Sequence, residues 1–371
     1  MEDILKVVSI ADIHFGALDP KYMYEQLRKQ FTQRLVKLDF DILAICGDIF
    51  DSKFMSNNPI VSYALLFIDE VVQLCRDKNA TLMLLDGTES HDNHQLSLFY
   101  HYIQDPTIDI RIIESIRFEE VKGCRILCIP ERYGLSAEEY ENVLFYSGWY
   151  DLCILHGTIK GSFKGSEIAT LNSNHAPVFG IQSFCNCKGP ILCGHYHVPG
   201  CYEGYMYYNG SPLRFAFGQE EEKGFLITLY NTQSRRHYTE LIPIDSYIYK
   251  TINIDHLINE DPKKIIQFIK DTKTNERIDF IRVQFNNSND NMNVVRSYFR
   301  NVADVKLHEL GKVKQQQQAV DEGVLEQNKQ YSYILDPEID DYTKFVMYMN
   351  QNEGYDFITK DELISLLESA I

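Results

Sequence analysis

Five segments of this 371-residue sequence end an apolar run on side chains able to bind a metal ion or move a proton. KVVSIADIHFG carries Asp12 and His14, FDILAICGDIFD carries Asp48 and Asp51, and ATLMLLDGTESHD carries Ser90, His91 and Asp92. YDLCILHG ends on His156, and GPILCGHYH on His195 and His197. Residues i and i+2 of an extended segment face the same side, so Asp12 with His14, and His195 with His197, each form a two-toothed clamp. Imidazole and carboxylate with little thiolate suit borderline to hard divalent ions such as Mn, Mg, Fe or Zn. Five segments supply more ligands than one ion needs, and a carboxylate can bridge two ions. Two ions ~3.5–4 Å apart are a device for phosphoryl chemistry, clamping attacking and leaving oxygens and lowering the pKa of water toward ~7. No Gly-rich phosphate loop or serine elbow competes with that reading. A lone histidine or aspartate at a strand end is more often a packing residue or a cap. The joint pattern, repeated at five strand ends, carries the argument.

The elements that must position these groups repeat the same phrase. From Lys6 to about Tyr230, short β-type runs alternate first with helix-like stretches, Tyr22 to Lys37 and Pro59 to Cys75, and then with turns. This predicts a layered α/β domain over residues 1–243, with helices outside a pair of buried sheets and ligands gathered at the carboxyl ends of strands. After Pro243 the pattern spells strand, helix, strand, helix, strand, a small α/β domain over 244–310. Residues 311–335, which open with GKVKQQQQAVDEGVLEQNKQ, are polar and read as a linker. Residues 336–371 read as two helices. Asp336 and Pro337 start the first, and a Thr359–Glu362 capping box starts the second, which carries a Leu363, Leu366, Leu367, Ile371 stripe. That stripe packs either on its own domain or on a partner.

Hydrophobic residues are 44% and charged residues 24%, the balance of a folded globular chain. The start MEDILKVVSIADIH lacks the basic region and cleavage site of a signal peptide, and no apolar stretch approaches the ~18 residues of a membrane span. Nine cysteines in such a chain point to reduced thiols, hence a cytoplasmic protein. Cys185, Cys187, Cys193 and Cys201 lack a standard zinc spacing and are expected to be buried as small apolar residues. A formal charge of −17 disfavours a free-standing nucleic-acid binder, unless clustered metal-binding carboxylates inflate the count or ions and a basic partner supply the attraction.

In this order, D-x-H, G-D-x-x-D, S-H-D, H-G and G-H-x-H resemble the signature of the calcineurin-like metallophosphoesterases. The stretch YNGSPLRFAFGQEEEKGF, residues 208–225, is similar to the block after the last ligand motif in SbcD-type nuclease subunits of double-strand-break repair. The resemblance covers residues 1 to about 310 and implies a four-layer sandwich with a small α/β capping domain and a helical tail. It implies that Asp12, His14 and His197 hold one Mn ion and His156 and His195 another, with Asp48 bridging and Mg as the alternative metal. His91 would give a proton to the leaving sugar oxygen, with Asp92 and Asp51 in support. The family asparagine, a ligand of the second ion, is replaced in phase by Ser90, whose hydroxyl, or a water it holds, or Glu89, is then expected to fill the position. The implied function is a Mn-dependent DNA exonuclease and endonuclease whose C-terminal helices dock a coiled-coil ABC-type ATPase of the SbcC kind. A homodimer through the Tyr63–Val72 helix is an alternative to burying that helix. The competing readings are a phosphodiesterase or phosphatase on small substrates, and a scaffold subunit that binds DNA and ATPase without cutting.

Overall fold

The computed structural model describes residues 4–132, 140, 143–145, 148–162 and 178–310. The expected linker at 311–335 and the helices at 336–371 lie outside the described residues. The described residues divide into two compact units, one within 4–251 and 270–282, the other within 252–269 and 283–310.

The first unit is built on two six-stranded sheets flanked by helices, the mixed α/β architecture that the alternation predicts. Strands β1 (Ile4–Ile10), β2 (Ile42–Cys46), β3 (Thr81–Leu85) and β4 (Asp109–Ile113) run parallel as neighbours. The second sheet starts with the antiparallel pair β5 (Arg117–Val121) and β6 (Cys124–Ile129), and β7 (Leu152–His156) lies parallel to β6. A short ladder of β8 (Thr158–Ile159) and β9 (Val178–Phe179) comes next. Strands β10 (Ile191–Gly194), β11 (Gly200–Tyr202) and β12 (Met206–Tyr208) complete the second sheet in the order β11-β12-β10-β7-β6-β5. The chain then returns to the first sheet, where β13 (Gly224–Asn231) pairs antiparallel with β1, and β14 (His237–Pro243) closes the order β14-β13-β1-β2-β3-β4.

Alternation within the strands sorts side chains into layers. Ala44, Met83 and Leu85 of the first sheet meet Ile126, Cys128, Ile154 and Leu192 of the second in one buried cluster. Val8, Leu43, Ile45, Leu82 and Leu84 point the other way, onto helix residues Phe31, Phe67, Ile68 and Val71. Both faces of these strands are therefore dry, which is why they read as unbroken apolar runs rather than alternating ones.

The stretch predicted as one helix from Tyr22 is a helix Pro20–Leu27, a π-turn Arg28–Thr32 and a last turn Gln33–Leu35. Asp19 caps it by accepting from Tyr22 N. The buried Gln30 lies in the π-turn, donating to Asp245 O at 2.8 Å and accepting from Asp245 N at 2.7 Å. A backbone partner 215 positions away thus accompanies the irregular turn. The next helix runs Pro59–Lys78, capped by Asn58 and ended by Asn79 in the left-handed conformation. Its Phe67, Ile68, Val71 and Val72 pack into its own core, while Leu66 stays exposed.

Beyond β14 the chain runs strand, helix, strand, helix, strand. Strands β15 (Tyr249–Asn253), β16 (Phe280–Phe285) and β17 (Val305–Glu309) form a three-stranded sheet in that order, with helices Pro262–Asn275 and Asp290–Phe299 between them in sequence. In the second unit Asn289 caps the latter helix by accepting from Met292 N, and Met292, Val295 and Phe299 are buried. No helix among the described residues is long and apolar enough to cross a membrane.

Candidate metal centre

Each large sheet contributes three adjacent parallel strand ends. In the first, β1 leads to Asp12 and His14, β2 to Asp48 and Asp51, and β3 to Thr88, His91 and Asp92. In the second, β6, β7 and β10 lie side by side and lead to Glu131, to His156, and to His195 and His197. The strand-end loops are tied together by their backbones: Asp12 N donates to Gly47 O, His14 N to Asp48 O and Phe15 N to Ile49 O.

The donor atoms converge in overlapping sets. Asp12, His14 and His197 form one, Asp12, Asp48 and His156 a second, and Glu131, His156 and His195 a third, each within 4.8 Å. His14 Nε2 lies 2.9 Å from His197 Nε2. Asp48 Oδ2 stands between the two sides, 3.6 Å from His14 Nε2 and 3.4 Å from His156 Nε2. His156 donates from Nδ1 to the Cys46 carbonyl at 2.7 Å, which leaves Nε2 as the lone-pair atom facing Asp48. Both oxygens of Asp12 accept from His195 N, at 2.9 and 3.1 Å.

The cost of this arrangement is visible in the backbone. Asp12, His14, Asp48 and His195 all have positive φ, at 52°, 51°, 54° and 96°. Non-glycine residues held there store strain, and such strain gathers at functional sites. Close packing adds a second constraint, since a Cβ on Gly47 would lie 2.1 Å from His156 Nδ1 and one on Gly87 2.2 Å from Asp48 Oδ1.

Burial and crowding set the electrostatics of the cluster. Burial lifts the Asp12 carboxyl to about 7, with Asp48 adding to the rise. Burial likewise drives His14 down to about 3 and His197 down to about 4, so both imidazoles are neutral donors. Although desolvation opposes it, the Asp48, Asp12 and Glu131 carboxylates raise His156 well above its ordinary value. Desolvation also works to raise Asp48, yet His156 and His14 hold that carboxyl below its usual range. Glu131 Oε1 is buried without a hydrogen-bond partner, and His14 Nδ1 faces Asp51 Oδ1 at 3.5 Å while its Nε2 faces the cluster. Neutral imidazoles, crowded carboxylates and an unpartnered buried oxygen fit divalent cations, and the donors are all nitrogen and oxygen.

The structure brings together Asp12, His14, Asp48, His156, His195 and His197. His91 joins their edge, its ring 4.6 Å from that of His14, with Nδ1 donating to Asp51 O at 2.5 Å. Asp92 lies beneath rather than in the centre. It is fully buried and accepts from Asp48 N, Phe50 N and Gly87 N, so it positions the β2 and β3 loops. Burial and the neighbouring Asp48 push its carboxyl up to about 8.

Ser90 corrects the sequence reading. It is exposed, as is Glu89, because Thr88 O accepts from both His91 N and Asp92 N and the tight turn throws the two intervening residues outward. Thr88 stands in the expected place instead: its N donates to Asp48 Oδ1 at 2.7 Å, and its Oγ1 lies 3.3 Å from His156 Nε2 and 3.4 Å from Glu131 Oε2. Glu131 was also missed, although ILCIPE repeats the phrase of an apolar strand with a polar residue past its carboxyl end. The 208–225 block packs behind the centre. Lys223 donates to His197 O at 2.7 Å, Ser211 N donates to the same carbonyl, and Phe215 lies 5.7 Å from the His14 and His197 rings. The expectation for the cysteines holds only in part: all nine are unpaired, and Cys193 is buried, but Cys185 and Cys201 are exposed.

The chain is similar to a viral phosphoesterase. It is 24% identical over 287 residues to "Putative phosphoesterase 244L" of Invertebrate iridescent virus 6, an alignment covering 75% of this chain and 94% of that protein. No protein-family model matches. Among solved structures, a cold-active protein-tyrosine phosphatase of a psychrophilic Shewanella species aligns over 64% of this chain and 82% of its own, at 16% identity and a TM-score of 0.28. Pseudomonas putida nuclease MPE aligns over 60% of this chain and 84% of its own, at 15% identity and a TM-score of 0.25.

Proposed function

We propose that this protein is a two-metal phosphodiesterase that cuts DNA, a Mn-dependent nuclease subunit working with a coiled-coil ABC-type ATPase. The observation that carries the reading is Asp48 Oδ2 poised between His14 Nε2 and His156 Nε2, at 3.6 and 3.4 Å. A carboxylate so placed would be shared by two ions. Asp12, His14 and His197 would hold one, His156 and His195 the other. When bound, the pair supplies Lewis acidity toward the phosphoryl group and the attacking water. Support for DNA as substrate comes from the 208–225 block, its likeness to SbcD-type nucleases and the small α/β sheet beyond it in the chain.

The chain's own residues do the rest. Asp92 fixes the β2 and β3 loops through three backbone N–H groups, so that Asp48 and His91 keep their separation. The Asp51 carbonyl orients the His91 ring through Nδ1 and leaves Nε2 as the atom that exchanges a proton. Hydrolysis forms one P–O bond to water and breaks one to the sugar, and the leaving oxygen takes its proton from His91 Nε2. Lys223 and Ser211 hold the His197 main chain and so its ring.

The test is direct. Full-length protein is incubated with labelled single-stranded and duplex DNA and with a small aryl phosphodiester, in Mn or Mg, with and without the ATPase. Mn-dependent DNA cleavage is expected. Turnover of the small diester alone would give the protein to small substrates, and DNA binding without cleavage in any metal would make it a scaffold.

A further inference from the structure

The geometry points to Glu131 as a ligand of the second ion, completing a site of Asp48, His156, His195 and Glu131. This rests on the two-metal reading above and adds to it a residue, a charge and a consequence. The Glu131 side chain is 1% exposed, and its Oε2 lies 3.1 Å from His195 Nδ1 and 3.8 Å from His156 Nε2. Ligands at ~2.0–2.2 Å from a shared ion stand roughly 3–3.6 Å apart along the edges of a tetrahedron or octahedron. The observed spacings, with 3.4 Å between Asp48 Oδ2 and His156 Nε2, are close to those edges.

The bland reading is a buried Glu131–His195 ion pair. It leaves Glu131 Oε1 buried with no hydrogen-bond partner, a costly state for a carboxylate oxygen and one that a cation relieves. A purely structural pair also has no need of Thr88, whose Oγ1 lies within 3.4 Å of Asp48, Glu131 and His156 alike. The hydroxyl stands where a neutral ligand was expected, and the carboxylate behind it supplies the charge.

The consequence is symmetry of donors. One site then has Asp12, Asp48 and two imidazoles, and the other Asp48, Glu131 and two imidazoles. Three carboxylates face the four positive charges of two divalent ions, so one more charge is compensated than with a neutral ligand at this place. The second ion should therefore bind about as tightly as the first, and two carboxylates with two imidazoles suit borderline to hard ions such as Mn, Mg, Fe or Zn at both sites.

The experiment is Mn titration of the chelator-stripped full chain by calorimetry, with metal content after gel filtration and low-temperature electron paramagnetic resonance. Wild type should retain two Mn per chain with an exchange-coupled spectrum. Glu131→Gln keeps the shape and removes the charge. It should retain one Mn, show an uncoupled spectrum, and weaken the second affinity by at least ~10-fold, the lower end of what disturbing a ligand's supporting shell costs. Ser90→Ala should match wild type. If Glu131→Gln fails to fold in chelator, Glu131→Asp decides, since its shorter arm should weaken the second ion alone. Two coupled ions with unchanged affinity in the substituted protein would overturn the assignment and leave the two-metal reading standing. A wild type that binds no Mn would overturn both.

Discussion

Stripping the protein of metal should reverse the usual benefit of mild alkalinity for its stability. A carboxyl whose folded pKa is raised binds a proton in the folded state that the unfolded chain has already released, so stability falls as pH climbs toward the folded value. Asp12 is lifted to about 7 and Asp92 to about 8, both chiefly by burial. His156, raised well above its ordinary value, acts in the same direction once the unfolded imidazole has deprotonated. His14 and His197, lowered to about 3 and about 4, oppose this only up to the ordinary histidine range and are silent above it. Between pH 6.5 and 8, integrating the two carboxyl titrations gives a loss of about 2–3 kcal/mol, and His156 deepens the fall. For a unit of this size the carboxyl share alone is roughly 4–12 °C in Tm. The assay is thermal unfolding in chelator across that range, repeated in excess Mn, where cations take the place of the Asp12 and His156 protons and the fall should shrink to the share of Asp92, which lies beneath the cluster. Asp92→Asn should remove its own share of the slope. Stability that stayed flat or rose from pH 6.5 to 8 in chelator would refute the view of the centre as buried, crowded carboxyls.

Other outcomes rest on the same geometry. Asp48→Ala should reduce hydrolysis of every substrate to background while the protein keeps its circular dichroism spectrum, and retained turnover would remove the bridging role. His91→Asn should keep both Mn ions in calorimetry and slow turnover by ~10²–10⁴, the range for losing a general acid; loss of an ion would instead make His91 a ligand. Gly87→Ala should destabilise the protein by about 1–3 kcal/mol in denaturant titration, because the added methyl meets Asp48 Oδ1 and N at 2.2 and 2.3 Å.

Much of the layered fold was legible because buried parallel strands write themselves as short apolar runs, and the ligand pairs because i, i+2 spacing at strand ends leaves a local mark. The parts that stayed hidden were set by contacts that no local pattern encodes. Glu131 comes after Pro130 as a lone acid and reads like any turn residue; its neighbours His156 and His195 arrive only through the β6-β7-β10 pairing. The choice between Thr88 and Ser90 depended on which carbonyl closed a turn, and the chain offers polar groups in either phase. The break in the first helix obeys the same logic, since the partner of Gln30 is the main chain of Asp245. The exposure of Cys185 and Cys201 was beyond composition altogether, since a thiol is equally at home in a core or a loop.

Strand β1, which leads directly into Asp12 and His14, lies between β2 and β13, with Ile4 opposite Asn231. Its antiparallel neighbour is therefore made more than two hundred residues after it. During synthesis, at roughly 5–20 residues per second, the nascent chain carries β1 with one edge unpaired until β13 has emerged. A fragment ending just after His197 would contain Asp12, His14, Asp48, Glu131, His156, His195 and His197 and still lack the strand that flanks β1. Such a piece would expose a hydrophobic sheet edge of the kind that pairs with other chains. The sheet that carries Asp12 and His14 is thus completed late in synthesis, and an incompletely made chain would be prone to aggregate.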